Sequence, residues 1–262
     1  MQLGIMNDPR RDACDEARWA AAHGYEFLDL TIEGPAAALE QLDLPQLKAV
    51  LREHGLGLVG HTAWYLPFAA PLARLREVAV ESVCDTFATF AELGATWVNV
   101  HVTQPPRLFP TEQMIAWNIE SFAAIVERAR PYGLRVMAEN TPSPTVHISD
   151  LEQIFAAVPE LGFHFDIGHA SIGGDRVEGL LKAFGERLAH VHVSDNRGRS
   201  DDHTALGAGT IDYPKAMRLL REYGYDGTIT LEVFTPDRDY LLLSTRKLRE
   251  WWDAASAEPL ES

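Results

Sequence analysis

The stretch RVMAENTPSPTVHISDLEQIFAAVPELGFHFDIGH, residues 135–169, reads as a strand, a helix and a second strand. Arg135–Asn140 is a short, mostly apolar run that closes on Glu139 and Asn140, and Gly162–Asp166 is another that closes on Asp166. Between them Ser149–Val158 is amphipathic, and Ser149 with Glu152 three residues on has the spacing of a capping box. Runs that are apolar almost throughout suit parallel strands covered by helices, because both faces of such a sheet are buried.

The same alternation extends in both directions. The remaining candidate strands are Leu3–Met6, Phe27–Thr31, Leu56–His61, Trp97–Val102, Ala189–Ser194 and Thr228–Phe234. Helix-like segments fall at Asp12–His23, Pro45–His54, Pro71–Leu93, Thr111–Tyr132, Asp175–Phe184, Tyr213–Tyr223 and Asp239–Ala254. Five helices run into a glycine (Gly24, Gly55, Gly94, Gly133 and Gly224), the residue that accepts the left-handed conformation of a helix stop. Eight strand–helix units in about 250 residues imply a closed (β/α)8 TIM barrel occupying residues 1–262 as one domain. An open doubly wound sheet would show an early Gly-rich phosphate loop; here the first strand leads into Asn7-Asp8-Pro9-Arg10.

Composition narrows the partners. The chain has 23 basic and 38 acidic side chains, a net charge of −15, and only four lysines: Lys48, Lys182, Lys215 and Lys247. No basic run is interleaved with aromatics, so no nucleic acid is expected as a partner. No run of about eighteen apolar residues suggests a membrane span. The N-terminal stretch lacks the basic head and apolar core of a signal peptide. Cys14 and Cys84 form no pattern, so two free thiols in a reduced cytoplasm are the expectation. A homo-oligomer is left open.

Polar residues collect where strands end. His61 closes the third strand, His101 the fourth, Glu139 the fifth, Asp166 the sixth, His192 the seventh and Glu232 the eighth. A parallel barrel opens all those ends onto one face. Taken singly, each is explained by a structural hydrogen bond or a helix cap. Burying several together is costly unless a cation pairs with the carboxylates. Glu139, Asp166, His192 and Glu232 make a ligand set of three carboxylates and one imidazole, which suits Mn²⁺, Mg²⁺, Co²⁺ or Zn²⁺. Glu139 and Glu232 are the candidate catalytic acid/base pair, exchanging a proton at carbon beside a carbonyl. His61, His101, His169, Asp201 and His203 are candidates for substrate binding or an additional metal. Trp64, Tyr65 and Phe68 form either a substrate wall or a packing contact. Arg107, in the Pro-rich Thr103–Arg107 piece, is either an anion contact or a solvated side chain.

Seven pieces together resemble the xylose isomerase-like TIM-barrel superfamily over about residues 3–250. They are Gly60-His61-Thr62, Asn99-Val100-His101, Ala138-Glu139-Asn140-Thr141-Pro142, Phe165-Asp166-Ile167-Gly168-His169, His190-Val191-His192-Val193-Ser194-Asp195, the Asp201–Gly209 loop and Leu231-Glu232-Val233. Resemblance to the ketose-epimerase branch implies one divalent metal on Glu139, Asp166, His192 and Glu232, the two glutamates as acid/base pair, and His169 touching substrate. The further glutamate and arginine that grip substrate in that branch are not matched: Thr145 falls near the first, and Arg197 or Arg199 only loosely replaces the second. Resemblance to endonuclease IV implies up to three ions on the wider set. The implied function is a metal-dependent isomerase or epimerase of a small hydroxylated carbonyl compound, working through an enediolate. The alternatives are a dehydratase of the inosose dehydratase type, an endonuclease IV-like phosphodiesterase, and a non-catalytic metal-stabilised binding protein.

Overall fold

The alternation of short apolar runs and longer amphipathic segments produces eight parallel strands that follow one another in sequence order around a closed barrel. A computed structural model of the chain describes residues 1–105 and 108–257; Pro106 and Arg107, and with them the expected anion contact, lie outside the described residues. The elements are β1 (Gln2–Met6), α1 (Ala13–Ala22), β2 (Phe27–Ile32), α2 (Leu44–His54), β3 (Gly57–Thr62), α3 (Ala73–Asp85), α4 (Phe87–Glu92), β4 (Trp97–His101) and α5 (Thr111–Ala129). They continue with β5 (Arg135–Glu139), α6 (Ile148–Ala157), β6 (Gly162–Asp166), α7 (Ile167–Ala170), α8 (Val177–Phe184), β7 (Leu188–Val193), α9 (Tyr213–Glu222), β8 (Thr228–Leu231) and α10 (Asp239–Ala257). With helices on its outside, this is the expected (β/α)8 TIM barrel. No helix among the described residues is long and apolar enough to cross a membrane.

Local chemistry sets the element boundaries. Asp12, Asp43 and Asp212 cap α1, α2 and α9 by accepting from the backbone N–H of Asp15, Gln46 and Lys215. All five glycines read as helix stops have positive φ, between 64° and 88°. Several boundaries differ from expectation, among them the end of β8 at Leu231 rather than Phe234. The segment read as one helix over 71–93 breaks at Thr86, whose hydroxyl donates to the Val83 carbonyl at 2.6 Å. The apolar period continues through the break, so the sequence does not reveal it. Helix α6 begins at Ile148, which puts Ser149 inside the first turn rather than at its cap. The chain beyond α5 tightens into a 3-10 turn over Arg130–Tyr132, at Pro131.

Two compact units make up the chain. One comprises Gly4–Glu139 with Ser149–Gly162; the other comprises Met1–Leu3, Asn140–Ile148 and the chain from Phe163 onward. In the first, β2 and β3 pair over six residues and Phe68, Phe87, Phe90 and Phe122 are fully buried. Gly4 faces Phe27 across the β1–β2 pair; a methyl group there would lie 2.5 Å from the ring. In the second, Phe163 packs on Phe165 and Phe184, with ring centroids 5.6 and 5.0 Å apart. Tyr213 stacks on Trp251, and its hydroxyl donates to the Ser194 carbonyl. Cys14 and Cys84 are free and buried, as expected, and burial pushes both thiols up to about 11.

Gly4→Ala is expected to lower unfolding free energy by about 1–3 kcal/mol in urea titration, since the ring or strand must move to admit the methyl. An unchanged midpoint would contradict this packing.

Candidate metal centre

Strand register assembles the first group of polar side chains. In the β3–β4 pair His61 stands opposite Asn99, and in the β4–β5 pair His101 stands opposite Glu139. Adjacent strands are about 4.8 Å apart, so side chains on one face of such pairs touch. His101 Nε2 lies 3.0 Å from Glu139 Oε2 and 3.4 Å from His61 Nε2. The Asn99 amide donates to Glu139 Oε2 at 2.5 Å and faces His61 Nε2 at 3.1 Å. Donation into His61 Nε2 leaves the ring proton on Nδ1, which points at Asp29 Oδ1, 3.5 Å away. Glu139 is 2% exposed and Asp29 and Asn99 are 0% exposed, so both carboxylates of this group are withdrawn from the protein surface. The sequence reading missed Asp29 and Asn99. An acid and an amide inside otherwise apolar strand runs were the available signal.

A register shift assembles the second group. Phe163 of β6 pairs with Leu188 of β7, but His164 pairs with His190, so Ala189 is the extra residue and Asp166 comes level with His192. Asp166 Oδ1 caps the short α7 by accepting from the His169 N–H at 2.7 Å. Its other oxygen faces His192 Nδ1 at 4.0 Å and His169 Nε2 at 3.8 Å. His192 Nδ1 is also 3.1 Å from Glu232 Oε2. Glu232 lies just past β8, and its N–H donates to the Val193 carbonyl, carrying the pairing one residue further. One imidazole nitrogen therefore faces two carboxylates.

His169, Asp201 and His203 gather beside that set. His169 Nε2 and His203 Nε2 lie 2.9 and 3.0 Å from the same oxygen, Asp201 Oδ2. Each ring turns its Nδ1 to a backbone carbonyl, His169 to Asn140 at 2.8 Å and His203 to Glu232 at 3.2 Å. Every ring nitrogen thus faces an acceptor. A proton on each Nε2 beside an anionic Asp201 satisfies these contacts, and so would a cation in the place of those protons. Burial opposes charge on Asp201, yet hydrogen bonds from the two imidazoles hold its carboxyl well below the usual range. Burial likewise works against the His203 charge, but Glu232 and Asp201 lift it to about 9. Arg176 supports this corner, donating to the carbonyls of Thr141, Ser143, Val146 and His169.

His164 and His190, unassigned in the sequence reading, are fully buried behind His192. The His164 ring meets His192 edge-on at 4.1 Å, and His190 faces the hydroxyls of Thr228 and Thr230 at 2.7 and 3.0 Å. The expected aromatic wall divides. Phe68 takes the packing alternative, fully buried against Phe122, whereas Trp64 and Tyr65 are exposed. Thr145, Arg197 and Arg199 are all exposed.

The donor chemistry fits a divalent cation. His61, His101 and Glu139 offer ligand atoms within 4.8 Å of one another, and His164, His190 and His192 do the same. Buried carboxylates facing imidazole nitrogens are what a hard or borderline metal ion stabilises. A family model described as xylose isomerase-like TIM barrel matches residues 17–255. The chain belongs to that family. It is 23% identical to an inosose isomerase of Bacillus velezensis, over 82% of this chain and 81% of that protein. It also resembles the solved structure of a D-tagatose 3-epimerase-like protein, with 25% identity, TM-score 0.84 and 98% of each chain covered. An IOLI protein structure with a bound zinc atom superposes with TM-score 0.77 at 17% identity, over 98% of this chain and 96% of that one.

Asn99→Ala removes the amide that orients both Glu139 and His61. Mn²⁺ affinity by isothermal titration is expected to fall by about 10- to 100-fold, as for other groups that orient metal ligands; wild-type affinity would show that the amide has no such role.

Proposed function

We propose that Glu139, Asp166, His192 and Glu232 hold one divalent ion, and that the chain is an isomerase or epimerase of a small keto sugar or related polyol. The observation that carries this is His192 Nδ1, buried and facing the carboxylates of Glu232 at 3.1 Å and Asp166 at 4.0 Å, at the ends of strands whose carboxyl termini share one rim in a parallel barrel. Glu139 ends β5 and offers the third carboxylate. The substrate class draws further support from the inosose isomerase and D-tagatose 3-epimerase-like relatives.

The bound ion supplies positive charge that polarises a substrate carbonyl and stabilises the enediolate. Of the two glutamates, one takes the proton from the carbon beside the carbonyl, and the C–H electron pair becomes the enediolate double bond. The other returns a proton to the opposite face of that carbon, giving the epimer; delivery to the neighbouring carbon gives the isomer. Asn99 holds Glu139 through its amide, and the pairing of the Glu232 N–H with Val193 holds Glu232. His61, His101, His169, Asp201 and His203 bind the substrate hydroxyls. Trp64 and Tyr65 are the exposed rings available to cover a small polyol. Two free thiols fit a reduced cytoplasm.

One observation favours a second reading. The convergence of His169 and His203 on one Asp201 oxygen is also a ligand set for an additional ion, as an endonuclease IV-like phosphodiesterase requires. The net charge of −15 opposes a DNA backbone as substrate.

A ketose panel run in deuterated water with Mn²⁺-loaded protein tests the proposal. Deuterium is expected at the carbon beside the carbonyl, and Glu139→Gln or Glu232→Gln should lower kcat by a factor on the order of 10² to 10⁴. Loss of water from the substrate would point to a dehydratase, and turnover retained in both variants would remove the acid/base assignment.

A further inference from the structure

The His190–Asp195 motif continues past the ligand His192 to an aspartate that touches none of the groups above. Asp195 is 0% exposed, two residues beyond β7. Its carboxylate accepts from three backbone N–H groups: Asn196 at 2.9 Å and Ile211 at 3.3 Å on Oδ1, and Gly207 at 2.7 Å on Oδ2. Among the described residues it has no Lys, Arg or His partner. A buried carboxylate satisfied by main-chain donors alone is an expensive way to fold a loop, and it imposes one conformation on its donors.

Those donors belong to the loop that carries Asp201 and His203. The Asp195 and Thr204 backbones exchange hydrogen bonds at 2.9 and 3.0 Å, and the Thr204 hydroxyl donates to the Asp195 carbonyl at 2.7 Å. His203, one residue earlier, has φ of 45°, a left-handed conformation that a non-glycine side chain rarely adopts. Such backbone persists only where its surroundings over-determine it. Gly209 completes the closure: a Cβ there would lie 2.1 Å from the Asn196 carbonyl oxygen and 2.3 Å from Asp195 Oδ1. Residues 204, 207, 209 and 211 are thus drawn onto Asp195 and its neighbour, and the Asp201–His203 turn is held at its entry.

We propose that Asp195 is a positioning residue that sets where Asp201 and His203 stand, through the loop it gathers and without contact to either. The claim about loop geometry is independent of the reaction. The consequence for substrate or ion binding rests on the reading of Asp201 and His203 given above.

The test uses the full chain without added metal or substrate, so an absence of isomerase activity leaves it intact. Histidine ring resonances by ¹⁵N-detected NMR and amide exchange by mass spectrometry are compared in wild type, Asp195→Ala, Asp195→Asn, Gly209→Ala and Asp201→Asn. Asp195→Ala is expected to shift the His169 and His203 resonances in the direction seen for Asp201→Asn. Exchange across residues 201–211 should rise on the order of tenfold or more, as loss of several charge-assisted hydrogen bonds implies. The His164 and His190 resonances should stay in place. Asp195→Asn, which keeps one acceptor oxygen, should fall between. Wild-type His169 and His203 resonances with unchanged loop exchange would overturn the proposal, as would a uniform rise in exchange across the chain. Should Asp195→Ala fail to fold, Gly209→Ala decides: a loosened loop in an otherwise native chain supports the proposal, and a native loop overturns it.

Discussion

The structure turns on the burial of carboxylates next to imidazoles at the ends of parallel strands. Moving one carboxylate out of water costs several kcal/mol even after relaxation. This chain buries Asp29, Glu139, Asp166 and Asp195 almost completely. Asp195 is compensated by main-chain N–H groups, and Asp166 in part by capping α7. Glu139 and the second oxygen of Asp166 instead face imidazole nitrogens and an amide. A divalent ion would complement that second arrangement, and its binding would stabilise the folded chain.

The rest of the fold serves to hold those groups at fixed distances. Strand register brings His61 level with Asn99 and His101 level with Glu139, and the irregularity at Phe163 and His164 brings Asp166 level with His192. Shifting either pairing by one residue would turn these side chains to the helix-covered face. Loops supply the other groups, and a polar side chain gathers the backbone of each, half-buried Arg176 in one case and buried Asp195 in the other. Arg176 gathers four carbonyls around the Thr141–Val146 segment and His169, and Asp195 gathers the segment behind His203.

The barrel was legible because its signals are local and repeated. Apolar runs of strand length alternate with amphipathic segments, and glycines mark helix ends that all adopt positive φ. The strand-end polar residues were legible for the same reason: a polar residue at the end of an apolar run stands out. The buried inner groups were harder to see. His164 and His190 sit within strands, where an imidazole reads as an ordinary core residue, and Asp29 and Asn99 gain meaning only from partners on neighbouring strands. The break at Thr86, where the hydroxyl donates to the Val83 carbonyl, and the start of α6 at Ile148 are local features that residue periodicity does not encode. The choice between wall and packing was not legible at the rim: Phe68 follows Trp64 and Tyr65 closely in sequence, but it is buried while the other two rings are exposed.

Anomalous scattering from a crystal loaded with Zn²⁺ tests the central claim most directly. The account predicts a strong peak about 2.0–2.2 Å from carboxylate oxygens of Glu139, Asp166 and Glu232 and from His192 Nδ1. A protein that binds no ion there, or binds it only at His169, Asp201 and His203, would contradict it.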